Sequence, residues 1–167
     1  MAREFYWEQD WPQIIAEQES TLLYEEFTRD MALELGMIIR ELAQEKYKGG
    51  AAIRIIEDGM VIFAFKMPGS CEENDWWMNK KLAVSRMTET SSLRAYVESR
   101  AGLREAEWEA REDNFAACGG CFPVFRKDGK KPIHHVMVSG LHHHEDHQII
   151  VDAMSRQLGI EVPSIIR

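Results

Sequence analysis

The chain has 167 residues, the size of one domain, and such a domain buries about 70% of the surface its unfolded chain exposes, so it needs no metal or disulfide staple to fold. Its 45% hydrophobic and 29% charged shares exclude a disordered chain, and its net charge of −8 excludes general nucleic-acid binding and attraction to an anionic membrane surface. No run approaches the ~20 apolar residues of a bilayer span, the acidic, aromatic start is unlike a secretory signal, and three cysteines form no disulfide framework, so the expected location is the reducing cytoplasm.

Phe5, Tyr6, Trp7 and Trp11 crowd the first dozen residues. They predict an aromatic arm over residues 1–13, packed either on its own domain or on a neighbouring subunit. The domain proper is expected over residues 14–160. A short helix from Ile14 to Glu19 is followed by Leu22-Leu23-Tyr24, a strand or an apolar turn. Thr28 is a helix N-cap, and Met31, Leu35, Ile38 and Leu42 behind it form one helical stripe that ends at Gly49-Gly50.

Ala51 to Glu57 and Met60 to Lys66 are β-rich runs joined by Asp58-Gly59, the strongest short hairpin signal. Ser70 predicts the cap of a third helix, on which Trp77, Lys81 and Val84 share one side. Thr90-Ser91-Ser92 breaks that helix and caps a shorter one, Leu93 to Arg100. The charged stretch Leu103 to Asn114 reads as a helical turn plus loop. Cys121 to Arg126 is a strand whose Pro123 predicts an edge or a bulge, and Ile133 to Ser139 returns beside it. A last helix runs from about Glu145 to Leu158, capped by Gly159. Two hairpins among helices predict an antiparallel sheet with helices on its faces, an α/β (α+β) domain.

Three features offer chemistry. His143 and His147 lie one turn apart, and Cys118 and Cys121 have the spacing of a zinc half-site, so these four form the candidate metal set. The competing reading makes the run from His142 to Asp146 a solvated, capping helix start and the cysteines small buried apolar residues. Gly119-Gly120 could bring backbone N–H groups to an anion or simply form a turn. Asn79-Lys80-Lys81 and Arg86, beside Trp76 and Trp77, form a basic strip suited to a propionate or phosphate, or else a solvated face. No acid/base dyad, GxGxxG or GxxxxGK[ST] motif occurs.

Several short stretches, in order and spacing, resemble the haem-degrading (GlcG/HbpS-like) superfamily. They are Ala16-Glu17-Gln18-Glu19, Asn74-Asp75-Trp76 with Lys80-Lys81, Ser91-Ser92-Leu93, Gly119-Gly120 with Phe122-Pro123, and Val138-Ser139-Gly140-Leu141 running into Glu145-Asp146-His147. The resemblance implies a profilin-like three-layer α/β/α sandwich around an antiparallel sheet and homo-oligomers built from dimers. Its relatives include haem-binding sensors and a domain appended to some corrinoid adenosyltransferases, and haem degradation is not general among them. Members usually carry His where this chain has Cys118 and Ala where it has Cys121, and usually lack the run His142-His143-His144.

The expected function is an oligomeric binding protein for haem or another small flat or anionic ligand. Lys80, Lys81, Gly119, Gly120, Phe122, Asp146 and His147 are the candidate ligand-binding residues, with His147 or Cys118 as axial ligand if haem binds. The alternatives are a metal-dependent enzyme using His143, His147, Cys118 and Cys121, and a structural scaffold. No nucleic-acid or membrane partner is expected.

Overall fold

At the link between the two β-rich runs, Asp58 takes φ 48° and Gly59 φ 88°, the positive pair that a tight two-residue hairpin needs. In this computed structural model, which describes residues 3–111 and 113–167, the hairpin joins β2 (Ala52–Glu57) to β3 (Met60–Lys66). β2 also pairs antiparallel with β6 (His134–Ser139), and β6 with the short β4 (Cys121–Pro123). The sheet order is β3-β2-β6-β4, antiparallel throughout. Pro123 ends the edge strand β4, where a missing N–H costs no ladder bond.

Both faces of the inner strands β2 and β6 and of β4 are covered, because these strands are apolar on both sides, whereas the edge strand β3 is largely exposed. Ile53 and Ile55 of β2, Val136 and Val138 of β6, and Phe122 of β4 point to one face. There they meet α2 (Arg29–Leu42) and α5 (His143–Leu158) through Leu35, Ile39, Ile149, Ile150 and Met154. On the other face Ala52, Ile56, Met137 and Cys121 meet Met78 of α3 (Glu72–Thr88). Gly36 is what lets α2 lie on β3, since a Cβ there would overlap the Phe63 ring. This is the expected α/β/α sandwich.

A third apolar cluster lies beyond the sheet. It joins α1 (Trp11–Thr21) to α4 (Ser92–Arg100) through Trp11, Ile15, Leu93 and Tyr96, and Trp108 and Ile165 close it. α1 begins three residues earlier than expected, with Pro12 in its first turn and Trp11 buried, so residues 11–13 are helical. Phe5 and Trp7 pack against this same cluster.

Other expectations shift by a few residues. Thr28 caps α2 through Met31 N–H, but the buried stripe runs Ala32, Leu35, Ile39 and Leu42, and a π-helical turn, Ala43–Tyr47, extends the helix. Cys71 rather than Ser70 caps α3, its N–H donating to Asn74 Oδ1 at 2.8 Å. Ser91 caps α4. The expected strand Cys121 to Arg126 is split at Val124: β5 (Phe125–Arg126) leaves the main sheet and pairs in parallel with β1 (Leu23–Tyr24). That pairing spans about a hundred residues of chain, so no local pattern announces it.

Candidate functional site

Lys81 sits in the middle of α3 and Asp146 in the first turn of α5. Their side chains are only 3% and 4% exposed and meet at 3.1 Å. Lys81 Nζ also donates to Val138 O at 3.0 Å, and Asp146 Oδ1 accepts the Leu141 N–H at 2.9 Å. Burial pushes the Asp146 carboxyl up to about 6 in spite of Lys81 beside it. The pair ties the helix layers together past the end of β6, and it floors a cavity of about 550 Å³. Cys118, Asn74, Trp77 and His142 are among the residues around that cavity.

Gly119 and Gly120 lie directly beneath this pair. A Cβ on Gly119 would overlap the His143 carbonyl, and one on Gly120, where φ is 129°, would stand 2.6 Å from Lys81 Nζ. Both glycines are buried, and the Gly119 N–H donates to His143 Nδ1 at 3.1 Å. The two-glycine turn therefore serves close approach of α5 to the β4 entry.

That hydrogen bond also fixes a tautomer. His143 Nδ1 accepts, so Nε2 carries the proton and donates to Tyr6 O at 2.7 Å. Burial lowers this imidazole to about 4. His147 is fully buried, its Nε2 2.8 Å from Gln18 Oε1. The Gln18 amide nitrogen donates to Gln148 Oε1 and Pro163 O, which leaves its oxygen to accept from His147. The His147 ring packs on Phe122, itself wholly buried, with centroids 5.6 Å apart.

The four candidate metal ligands are thus not brought into one shell. Both nitrogens of His143 are engaged, and His147 faces the interior. Cys121 belongs to the cluster on the other face of the sheet from Phe122 and His147's neighbours. Burial drives the Cys118 thiol up to about 11 and that of Cys121 up to about 12, the opposite of a thiolate ligand. Among the described residues, no three His, Cys, Asp or Glu side chains converge as a metal requires. His147 and Cys118, the two expected axial haem ligands, are 0% and 2% exposed.

The basic strip divides. Consecutive helical residues point about 100° apart, so Lys81 turns inward while Lys80 swings over the Trp76 ring, 4.0 Å from its centroid. There it enters a second cavity, of about 430 Å³, whose walls include Trp76, Trp77, Tyr96, Trp108 and Phe115. Arg3 lies over Trp77 at 4.8 Å and Arg100 over Tyr96 at 4.8 Å. With Phe5, three cations and six aromatic rings therefore share one concave surface, which Glu109 and Asp113 also line.

Sequence reading missed Tyr96, Arg100, Trp108 and Phe115 here. Trp108 and Phe115, aromatics in or beside a stretch otherwise rich in charge, were the available signal.

The N-terminal segment runs between the two cavities. Phe5 and Trp77 line both. The segment is held by Tyr96, whose hydroxyl accepts from Phe5 N–H at 2.7 Å and donates to Phe5 O at 3.0 Å, and by the His143 bond to Tyr6 O. The start of the aromatic arm thus packs on its own chain.

A family model described as "Haem degrading protein HbpS-like" matches residues 27–155. The chain belongs to the HbpS-like family. Among its relatives, a UPF0303 protein of Streptomyces coelicolor is 36% identical over 147 residues, covering 87% of this chain and 92% of that one. A UPF0303 protein of Rhizobium rhizogenes is 34% identical over 161 residues, covering 90% and 93%. Among solved structures, the Ybr137w protein aligns with TM-score 0.74 at 22% identity, over 86% of this HbpS-like chain and 84% of its own. A PduOC:heme complex aligns with TM-score 0.60 at 20% identity, over 80% and 94%. At such identities the structures show a shared fold. Among the described residues, no helix of the HbpS-like chain is long and apolar enough to cross a membrane.

Proposed function

We propose that this chain is an oligomeric binding protein for a flat, anionic small molecule, a porphyrin being the reference case. The observation that carries this reading is the aromatic cavity. Ring faces suit a planar ligand, and Arg3 and Lys80 beside them suit carboxylates such as propionates, while Arg100 is already paired with Glu109 at 2.9 Å. The family match and a neighbour solved with heme support the ligand class.

Among the described residues, the cavity's lining contains no His, Cys or Met. A porphyrin there is held by stacking and charge, and iron coordination contributes nothing to affinity. Iron chemistry, haem degradation included, has no support in these residues.

Parallel titrations with haemin and metal-free protoporphyrin IX, followed by absorbance and tryptophan quenching, test the reading. Saturable binding of both with comparable affinity, weakened about tenfold or more by Lys80→Gln, is expected. Haemin binding with no protoporphyrin binding would move the ligand to the neighbouring cavity, where His142 is exposed. Binding of neither would end it.

Self-association is carried by a different face. Leu33 and Met37, one turn apart on α2, are 54% and 48% exposed, and Val61 and Phe65 of the edge strand β3 are 52% and 40% exposed. An apolar edge strand beside an apolar helix face is a pairing surface. Sedimentation should show a defined oligomer that Met37→Glu with Val61→Lys dissociates.

A further inference from the structure

A third cavity, of about 380 Å³, opens at the far end of α3 from the two above. It lies between the β2–β3 turn, the end of α3, Pro123 of β4 and the start of β6. His135 forms part of its wall and is only 6% exposed. Its Nδ1 is buried without any hydrogen-bond partner. Nε2 is not buried in this way, and it too has no protein partner among the described residues, so it is the ring nitrogen left to the cavity.

A neutral imidazole carries one N–H, and burying an unpaired donor costs more than burying an unpaired lone pair when the other nitrogen can reach solvent or a ligand. The favoured tautomer therefore puts the proton on Nε2, as a donor into the cavity. Arg86 lines the same cavity, and its guanidinium reaches the β2–β3 turn, 3.6 Å from where a Cβ on Gly59 would stand. It makes no ion pair or side-chain hydrogen bond among the described residues. The remaining cation, Lys131, is neutralised by Glu89 at 3.3 Å.

We infer that this cavity is a binding site for a small oxyanion, a carboxylate or a phosphate monoester, held between the Arg86 guanidinium and the His135 Nε2–H. A buried imidazole without a partner and an arginine without one, in one concavity, are complementary to an acceptor-only group. The site is separate from the aromatic cavity, so the proposal stands or falls independently of the porphyrin reading.

Binding also draws in a proton. Burial first, then Arg86 and His134, holds the empty His135 down to about 4. An anion against Nε2 offsets the two positive neighbours and favours the charged ring directly. The other charged groups facing the site are Asp58 on the turn, Glu89 and Arg86 at the end of α3, and Lys131 before β6. His134, the neighbour on β6, is engaged with Glu57 at 3.1 Å.

Proton NMR of the six histidine rings during titration with inorganic phosphate, and separately with acetate, tests the site. The His135 signal is assigned by its loss in His135→Gln. The expected result is a saturable shift confined to His135, an upward move of its titration midpoint, and about tenfold weaker binding in Arg86→Gln. Because Arg86 is exposed and unpaired, that variant should keep its fold. Stronger binding of phosphate assigns the phosphate-monoester class, and stronger binding of acetate assigns the carboxylates. No saturable shift with either anion, or an equal shift in Arg86→Gln, overturns the proposal.

Discussion

Lys81 Nζ and Asp146 Oδ2 face each other at 3.1 Å, from two helices on opposite sides of the sheet, each side chain almost wholly out of water. Removing either charge leaves the other buried and uncompensated, at a cost of about 3–5 kcal/mol. Lys81→Met and Asp146→Leu should each lower stability by that order in denaturant unfolding. The double variant should lose less than the sum, because no orphaned charge remains. A strictly additive cycle would mean that the pair is not coupled.

The two glycines beneath the pair should be intolerant of a single methyl group. Gly119→Ala and Gly120→Ala force backbone or Lys81 to move, whereas Gly159→Ala meets open space and faces only the strain of φ 68°. We expect a loss of about 1 kcal/mol for Gly159→Ala and clearly more, about 3 kcal/mol, for either of the others. Thermal unfolding of the three variants checks this order.

Acid should weaken the fold well before its surface carboxylates titrate. His143 and His135 are held at about 4 and His147 at about 3, in each case chiefly by burial. Their folded values lie below the unfolded 6.5, so the unfolded chain takes up protons first as pH falls. Stability is therefore full above about pH 6.5 and declines towards pH 4. Asp146, held up at about 6, has the opposite sign: its protonation favours the folded state as pH falls through that value. Three histidines outweigh Asp146 and Glu19, whose carboxyl burial also raises, and the melting temperature should drop by roughly 5 °C or more between pH 7 and pH 4.5. Replacing His147 with Gln should flatten part of that slope.

Thiol accessibility separates the cysteines. Cys71 is exposed, whereas Cys118 and Cys121 are buried and hard to ionise. An aromatic disulfide reagent should find one reactive thiol per native chain at pH 8 and three in denaturant. Rapid native reaction of more than one would show that the entry to β4 opens in solution.

The sequence by itself determined what is local. Asp58-Gly59 set a hairpin because only left-handed backbone closes so short a turn, and Thr28 and Ser91 set helix starts because their hydroxyls reach unpaired N–H groups. Two hairpin patterns set among helices placed an antiparallel sheet between helical layers. Tertiary structure decided where each chemically interesting side chain ended. Lys80 and Lys81 are adjacent in sequence, yet one stacks on Trp76 and the other is buried on Asp146. The histidine cluster suggested a metal by spacing, but spacing says nothing of the Gln18 amide and the Gly119 N–H, which arrive from remote segments and occupy its nitrogens. Long-range packing chooses the partners of polar groups, and that choice separates a ligand from a structural residue.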